Sequence, residues 1–407
     1  MAKPLEGIKI LEWAIWLAGP GAGMMLSDLG AEVVKIEQPV IGDPTRGITS
    51  AEGTGRERRT GGDSFSYEIV NRNKKSIIVD VTKRKGQEII YRLIPKFDVF
   101  LQNFRQDVRE NNKLDYNTLS QYNTNLIYAN ISGFGPDGPD NWRRGNDGIG
   151  QARSGFMSNM QALLGEPAPI GGGIADHTTS IFAVIGILTA LMARERQGVG
   201  QEIDISVLGS MISLQQIRLM NTFHYKRETI RQDRKAATNP LYNYYQCQDG
   251  KWIMFGLLAT GFVWTDFCKA IGEEKLAIDP RFDTDPKRAV NCRDLMVILD
   301  NVFATKPRQE WENIFDNYPR IIFTQVNDGL DVANDPQAIA NGYVVEYERP
   351  QHELIKAVGC PIKFRKTPAG IQAPAPEFGQ HTEEVLIDTG GYTWEEIAQL
   401  KEEKVIG

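Results

Sequence analysis

The sequence predicts an α/β fold with a parallel sheet, in a chain of two domains. An apolar strand over 8–13, a glycine-rich loop over 18–23, a helix through Leu29 and a second strand over 32–37 have the spacing of a β-α-β unit. Apolar and helix-period segments then alternate, as in a parallel sheet covered by helices. The 407 residues exceed the roughly 250–300 at which a single core stops growing, so we expect two domains.

The remaining elements of the first domain follow the same alternation. A segment of helical period covers 86–94. A long apolar helix begins at Asp176 and ends at Gly198, a glycine of the kind that commonly terminates helices. The other predicted strands cover 76–81, 98–102, 125–131 and 201–207.

A charged connector precedes the second domain. The segment over 211–225 is predicted to be helical, and the charged stretch over 226–235 is typical of a solvated linker. A hairpin signal, Gln248-Asp249-Gly250, separates two short strands, and helices are predicted over 262–271 and 293–303. Thr393 and Glu396 form a capping box that opens the last helix. We divide the chain into a large domain (1–205), a linker (206–237), a small domain (238–325) and a linker with a C-terminal part that completes the large domain (326–407).

Composition limits the partners and the location. The formal net charge of −6 argues against nucleic acid or an anionic membrane as the main partner. Residues 1–7 lack the apolar core of a signal peptide, and no apolar run approaches the ~20 residues that span a bilayer, so a cytoplasmic location is expected. Four widely spaced cysteines and four histidines indicate neither a disulfide framework nor a metal site.

Asp176 is the most informative residue. It follows the glycine-rich segment 171–175 and precedes the small hydroxyl residues 178–180, which describes a carboxylate at a helix N-terminus beside backbone that can approach a ligand closely. Because Asp is among the best helix caps, its local sequence alone favours a capping role over a nucleophilic one.

The glycine-rich loop invites comparison with dinucleotide-binding proteins. Gly19, Gly21 and Gly23 do not match the Gly-x-Gly-x-x-Gly pattern, and Pro20 interrupts the turn. Glu37, at the end of the second strand, has the position of a ribose-binding acid, so an NAD-dependent dehydrogenase is an alternative from another class. The missing fingerprint argues against it.

The order of motifs along the chain resembles the family III CoA-transferases, which include carnitine, formyl, phenyllactate and bile-acid CoA-transferases. Each motif alone is common, but their order is specific. The motifs that carry the resemblance are 4–8, 18–20, 30–37, 42–46, 73–77, 103–105, 132–135, 151–155, 175–176, 198–201 and 379–382.

The resemblance implies that Asp176 is a nucleophile. In that family the matching carboxylate attacks a donor thioester to give a mixed anhydride, CoA thiolate then forms an aspartyl-CoA thioester, and the acceptor carboxylate repeats the steps in reverse. With a reference pKa of ~3.9, Asp176 is expected to be ionised at neutral pH, and the helix N-terminus adds only ~0.3–1 kcal/mol. The site must therefore mainly remove water and align the thioester.

The resemblance also implies a CoA site, with coenzyme A as substrate and product, and acyl-CoA and a carboxylate acceptor as partners. Arg105 is the best candidate for a phosphate contact, whereas Val79 and Phe104 have an alternative interpretation as core residues. Relatives often carry basic residues at the positions of Gln38, Asn111 and Ser132. The implied CoA contacts are Trp16, Leu17, Gln38, Val79, Asn103, Phe104, Arg105, Asn111 and Ser132.

A related isomerase, acyl-CoA racemase, is the main alternative within the fold. Its histidine base corresponds to Asn146 here, and an amide cannot take that proton at neutral pH. Formyl-CoA transferases carry a glycine-rich loop in the small domain, and 238–323 has no such run. That difference favours the carnitine and phenyllactate side of the family.

The resemblance further implies the whole architecture. A Rossmann-like large domain is built from N- and C-terminal parts, a smaller α+β domain lies between them in sequence, and two ring-like subunits interlock as a homodimer. Arg46 and the cluster 56–59 lie in a long polar loop, where arginines either bind an anion or remain solvated.

Overall fold

The computed structural model describes residues 2–47, 64–159, 165–228, 234–348 and 354–407. The chain folds into two compact units, both discontinuous in sequence. The large unit comprises Met1–Met157, Pro169–Thr229 and Asn341–Gly407, and the small unit comprises Ser158–Ala168 and Ile230–Ala340. The arginine cluster 56–59 lies outside the described residues.

A six-stranded parallel sheet forms the centre of the large unit, as the apolar segments predict. Numbered along the chain, its strands lie in the order 3-2-1-4-5-6, so the order reverses between the first and the fourth strand. In open α/β sheets, ligands bind outside the carboxyl ends of the strands at such a reversal. The strands are β1 (Lys9–Trp13), β2 (Glu32–Glu37), β3 (Lys75–Ile78), β4 (Val99–Gln102), β5 (Ile127–Ser132) and β6 (Gln201–Ser206).

Helices pack on both faces of this sheet, and this part of the chain also contains helices outside those layers. They are α1 (Ala18–Asp28), α2 (Phe65–Asn71), α3 (Arg84–Leu93), α4 (Gln106–Asn111), α5 (Tyr116–Leu119), α6 (Asp147–Arg153), α7 (Ile174–Gln197), α8 (Val207–Leu214) and α9 (Gln216–Tyr225). Side chains alternate between two cores along each strand: Val99 and Leu101 pack with α1 and α7, and Phe100 packs with α3. The predicted single helix over 211–225 is instead divided between α8 and α9 at Gln215.

The C-terminal part of the chain packs on the edge strand β3. His381 N–H donates to the Ser76 carbonyl at 2.9 Å, and Ile78 N–H donates to Thr382 Oγ1 at 3.1 Å. The predicted capping box of Thr393 and Glu396 is confirmed. This part contains the antiparallel strands β10 (Val344–Tyr347) and β11 (Ile355–Val358), and the helices α16 (Thr382–Asp388) and α17 (Trp394–Glu402).

The small unit combines helices with a short antiparallel sheet around an aromatic-rich core of its own. Its predicted hairpin at Gln248-Asp249-Gly250 is present and joins two antiparallel strands. The strands are β7 (Tyr244–Gln246), β8 (Trp252–Phe255) and β9 (Phe323–Val326). The helices are α10 (Trp264–Ala270), α11 (Asp285–Val290), α12 (Cys292–Phe303), α13 (Arg308–Phe315), α14 (Gly329–Ala333) and α15 (Pro336–Ala340).

The predicted glycine loop over 18–23 is wrong, because α1 already begins at Ala18. Its glycines allow close helix packing: a Cβ on Gly21 would lie 2.6 Å from Ser180 Oγ of α7, and a Cβ on Gly23 would lie 1.9 Å from Glu12 Oε2 of β1. Tertiary packing therefore overrides the low helix propensity of glycine here.

Helix α7 corrects the expectation that no apolar run approaches membrane-spanning length. Its 24 residues are long enough and apolar enough on average to cross a bilayer, and 39% of its most apolar window is buried. A single helix of this kind is weak support for a membrane span, since the core helix of a soluble protein has the same length and composition. Here the helix packs on the sheet through Ala183 and Ile187.

Candidate active site

Asp176 occupies the first turn of α7, two residues after its first helical residue. The residue that caps this helix is Gly173, whose left-handed φ of 68° suits a residue without a Cβ. The expectation that Asp176 itself caps the helix is therefore wrong. Within the described part of the chain, no hydrogen-bond donor reaches the Asp176 carboxylate, so its oxygens are available to a ligand.

Asp147, from the start of α6, supplies the cap that Gly173 cannot. Its Oδ1 accepts from the backbone N–H of Ala175 at 2.7 Å and of Asp176 at 3.2 Å, and its Oδ2 accepts from Gln151 Nε2 at 2.6 Å. A carboxylate that bonds two N–H groups of another helix fixes where that helix begins. This role of Asp147 was not predicted from the sequence.

The surroundings of Asp176 raise the pKa of its carboxyl group to about 7. Burial is the larger cause, and the negative charge of Asp147 is the second. The expectation that Asp176 is simply ionised at neutral pH is therefore wrong, because it took the pKa of a hydrated carboxyl group. Near pH 7 both protonation states are populated.

The N-terminal end of α1 lies beside the first two turns of α7. Ser180 Oγ donates to the Ala18 carbonyl at 2.7 Å, and a Cβ on Gly173 would lie 3.3 Å from Leu17 Cδ1. The Trp16-Leu17 segment is thus close to the start of the Asp176 helix. This segment leaves β1 at the reversal of strand order, where the sheet predicts a ligand site.

Three predicted CoA contacts follow β4, the strand beside β1. Phe104 is half-buried and stacks on the Trp13 ring with 4.2 Å between ring centres, so part of its surface packs on the core. Arg105 is 38% exposed and pairs with Asp107 at 3.0 Å. Asn103 uses both polar atoms of its side chain on the backbone of Ile15.

The remaining predicted contacts are more dispersed. Gln38 is exposed directly after β2, Asn111 is exposed at the end of α4, and Ser132 ends β5, where its Oγ accepts from Gly135 N–H. Val79 follows β3, but its side chain is fully buried in the core. The carboxyl edge of the sheet therefore carries all of these residues except Asn111, while the side chain of Val79 points away from solvent.

A cluster of buried charged side chains lies near the carboxyl edge of the sheet, close to the ends of β1 and β2. Lys35 Nζ lies 3.0 Å from Glu12 Oε1 and 2.9 Å from Asp43 Oδ2, and Lys74 Nζ lies 2.8 Å from Glu12 Oε2. All four side chains are fully or almost fully buried. Burial lowers the pKa of Lys74, the charge of Glu12 opposes that effect, and the resulting value is about 8.

A second buried pair, Glu37 and Arg46, adjoins this cluster. Arg46 donates to both Glu37 carboxylate oxygens, at 2.7 and 2.8 Å, and Ser76 and Tyr67 donate to the same carboxylate. Burial raises the pKa of Glu37, but the Arg46 contacts outweigh it and the pKa falls to about 2. Among the described residues, no group of three or more His, Cys, Asp or Glu side chains is arranged to hold a metal ion.

The sequence is similar to those of known CoA-transferases over almost its whole length. Residues 5–382 match CoA-transferase family III. The chain is 31% identical to the succinyl-CoA–D-citramalate CoA-transferase of Chloroflexus aurantiacus, over 99% of this chain and 98% of that protein. It is also 31% identical to the succinyl-CoA:glutarate CoA-transferase of Homo sapiens, over 98% of this chain and 89% of that one.

A solved structure has a similar fold. The crystal structure of a CAIB/BAIF family protein from Brucella suis aligns with a TM-score of 0.83 at 29% sequence identity, over 96% of this chain and all of that one.

Proposed function

Because the chain belongs to CoA-transferase family III and is thus a transferase enzyme, we propose that it moves CoA from an acyl-CoA thioester to a free carboxylate through Asp176. The observation that carries the proposal is the state of this side chain. Its carboxylate accepts no hydrogen bond from the described residues, and burial and Asp147 raise its pKa to about 7. Such a group is more basic, and more nucleophilic, than a hydrated carboxylate.

The reaction uses four substitutions at acyl carbons. Ionised Asp176 attacks the donor thioester, the C–S bond breaks, and CoA thiolate leaves an acyl-aspartyl anhydride. The thiolate then attacks the aspartyl carbonyl and releases the donor acid as a carboxylate, which gives an aspartyl-CoA thioester. The acceptor carboxylate attacks this thioester and expels thiolate, and the thiolate finally attacks the acceptor acyl carbon, which releases Asp176.

The site favours the first of these steps. Attack moves the negative charge from Asp176 to the thioester oxygen and then to the thiolate. Burial and the nearby Asp147 both disfavour charge on Asp176, so acylation relieves an unfavourable interaction that exists only in the free carboxylate. Once Asp176 is ionised, none of the four steps needs a proton transfer.

CoA binding at the carboxyl edge of the sheet is part of the proposal. Trp16, Leu17, Phe104 and Arg105 lie beside the reversal of strand order, where an apolar slot and a cation would suit a nucleotide with phosphates. Gln38, Asn111 and Ser132 remain proposed contacts at the rim. The Val79 side chain is not available to CoA in this arrangement, because it is buried.

The two alternatives lack a usable group. Asn146, at the position of the racemase base, accepts from Ile149 N–H at 3.1 Å and caps α6. A racemase would exchange the hydrogen next to the thioester with deuterated water.

Glu37 is occupied by Arg46, Ser76 and Tyr67, so it is not free to bind a ribose, as a dehydrogenase would require. A dehydrogenase would change the absorbance of NAD at 340 nm.

Mass spectrometry after incubation with an acyl-CoA and hydroxylamine tests the nucleophile. We expect a hydroxamate on Asp176 in the wild type and none in Asp176→Asn, which should also lose transfer of labelled CoA between acids. Unmodified Asp176 during turnover, or an Asp176→Asn variant with wild-type transfer, would contradict the proposal.

We also propose that the protein is an interlocked homodimer located in the cytoplasm. Helix α9 has no buried residue in the chain, and it exposes Ile217, Met220 and Phe223 by 83%, 59% and 64%. Apolar side chains on an uncovered helix are typical of a subunit interface.

The four cysteines are free thiols, which suits the reducing environment of the cytoplasm that we propose as the location. Cell fractionation tests the location.

A further inference from the structure

The turn that leaves β1 is held by side chains from other parts of the large unit. Lys35 Nζ donates to the Ala14 carbonyl at 2.6 Å. Asn103 Oδ1 accepts from Ile15 N–H at 3.0 Å, and Asn103 Nδ2 donates to the Ile15 carbonyl at 2.7 Å. Three backbone groups in two successive residues are thus fixed by side chains.

The next residue of the turn has an unusual backbone. Trp16 has a φ of 67°, in the left-handed region that bulky side chains rarely adopt. Its N–H donates to Asp43 Oδ1 over a long 3.4 Å, and the same oxygen accepts from Thr45 N–H at 2.9 Å. Such a conformation persists only where surrounding contacts determine it, and it occurs preferentially at functional sites.

A contribution to stability does not by itself explain the cluster of buried charged side chains that contacts the turn. Glu12, Lys35, Asp43 and Lys74 form two acids and two bases, all buried. Replacing a buried ion pair by apolar residues is often neutral or stabilising, so such a pair is weak support for a role in stability. Lys35 contacts Glu12, Asp43 and the turn at the same time, which couples the cluster to the turn.

Leu17 connects the turn to the start of the helix that carries Asp176. Leu17 follows Trp16 and precedes α1, and its Cδ1 would lie 3.3 Å from a Cβ on Gly173. Gly173 is the cap residue of the Asp176 helix. A shift of the turn therefore moves Leu17 against the start of that helix.

We propose that Lys35 and Asn103 are positioning residues that set the turn 14–17 against the start of the Asp176 helix. The inference rests on the proposed function, because a misplaced turn is expected to slow acylation of Asp176. It also changes the role of Asn103. Its side-chain amide acts on Ile15, which leaves its backbone and the second hydrogen of Nδ2 for a contact with CoA.

The variant Asn103→Leu, which keeps the size of the side chain, tests the proposal. Asn123→Leu is a matched control, because the Asn123 amide also holds backbone groups, Ile94 and Phe97 carbonyls, and it lies at the amino edge of the same sheet. We expect both variants to lose similar thermal stability. Only Asn103→Leu should lower kcat, by about tenfold or more, with KM for acyl-CoA changed less than about threefold.

Hydrogen exchange of the free protein separates positioning from direct contact. In Asn103→Leu the Ile15 amide should exchange faster, and the peptide over 14–18 should be the region most affected. An unchanged Ile15 amide together with a raised KM and a normal kcat would overturn the proposal and make Asn103 a CoA contact. If wild-type protein transferred no CoA, the proposed function would fail, while the exchange data would still decide whether Asn103 holds the turn.

A second variant covers the case in which Asn103→Leu does not fold. Lys35→Met/Asp43→Asn removes one base and one acid, so Glu12 and Lys74 remain as a neutral pair. The Oδ1 acceptor for Trp16 N–H is kept, while the bond to the Ala14 carbonyl and the Lys35 ion pairs with Glu12 and Asp43 are lost. We expect a stable protein with faster exchange over 14–18 and a lower kcat. A wild-type kcat with wild-type exchange would overturn the role of Lys35.

Discussion

Asp147 acts on Asp176 in two ways that a variant can separate. Its Oδ1 caps the helix that carries Asp176, and its charge raises the pKa of the Asp176 carboxyl group. Asparagine keeps an oxygen that can accept the helix N–H groups but removes the charge. The two effects therefore respond differently to Asp147→Asn.

The variant Asp147→Asn should shift the pH dependence of CoA transfer. The nucleophile is the ionised form, so kcat/KM is expected to rise with pH through the Asp176 pKa of about 7. Without the Asp147 charge this acid limb should move to lower pH. It should stay above the ordinary value of 3.8, because burial is the larger cause of the shift. A pH–rate profile checks this, and an unmoved limb would show that the Asp147 charge does not reach the nucleophile.

The variant Asp176→Asn should stabilise the protein at pH 8 while it abolishes transfer. A carboxyl group whose pKa is higher in the folded than in the unfolded state favours folding when protonated, and this contribution is lost as pH rises through about 7. We expect a gain on the order of 1 kcal/mol or more at pH 8 that shrinks towards pH 5. Thermal unfolding at both pH values measures it, with Asp388→Asn as a surface control. A variant less stable than the wild type at pH 8 would contradict the raised pKa.

At the residue scale, sequence could locate Asp176 but not its environment. The resemblance gave its position, whereas its pKa depends on burial and on Asp147, 29 positions away in sequence. The pairing of Glu12 with Lys35 has a pattern that is visible in the sequence. Each is a charged residue between two apolar neighbours in its strand, the charges are opposite, and the structure pairs the two residues in adjacent strands.

At the scale of elements, apolar segments predicted the strands well, whereas the glycines over 18–23 led to a loop being predicted where α1 begins. The strand β2 has the predicted limits, and β1, β4 and β6 differ from prediction by one residue at one end. The start of α1 was missed because glycine has a low helix propensity, whereas here its missing Cβ lets α1 approach α7 and β1. That approach requires knowledge of the partner helix, which one segment of sequence does not contain.

The close approach of α1 and α7 predicts the effect of Gly21→Ala. The new Cβ would lie 2.6 Å from Ser180 Oγ, so either the Ser180 side chain or the helices must shift, at a cost of about 1–3 kcal/mol. Gly148→Ala in α6 is the control, because its Cβ meets nothing closer than 3.9 Å. The double variant Gly21→Ala/Ser180→Ala should recover much of the melting temperature and of the CoA-transfer rate. Wild-type stability in Gly21→Ala alone would contradict the packing.

At the scale of the whole molecule, the sequence predicted the parallel sheet but not its strand order, which emerges only from the pairing of distant strands. The C-terminal part illustrates the limit. Its contacts with Ser76 and Ile78 join residues about 300 positions apart. The resemblance, rather than periodicity, carried the expectation that this part completes the large domain.

The exposed face of α9 leads to a prediction about assembly. Ile217, Met220 and Phe223 recur at intervals of three along a helix that buries none of its residues in the chain, so their apolar surface is open to a partner. In our proposal a second copy covers it. The variant Ile217→Lys/Phe223→Lys places two charges on this face, and two charges cannot be desolvated without partners.

We expect wild-type protein to be a dimer and Ile217→Lys/Phe223→Lys to be a monomer or to fail to assemble, as measured by light scattering after size-exclusion chromatography. The control is Val290→Lys, because Val290 is equally apolar and 85% exposed but lies in the small unit. It should remain dimeric. Because interlocked subunits would bury a very large area, the wild-type dimer should also persist at nanomolar concentration. A monomeric wild type at micromolar concentration would contradict the assembly, and a dimeric double variant would place the interface away from α9.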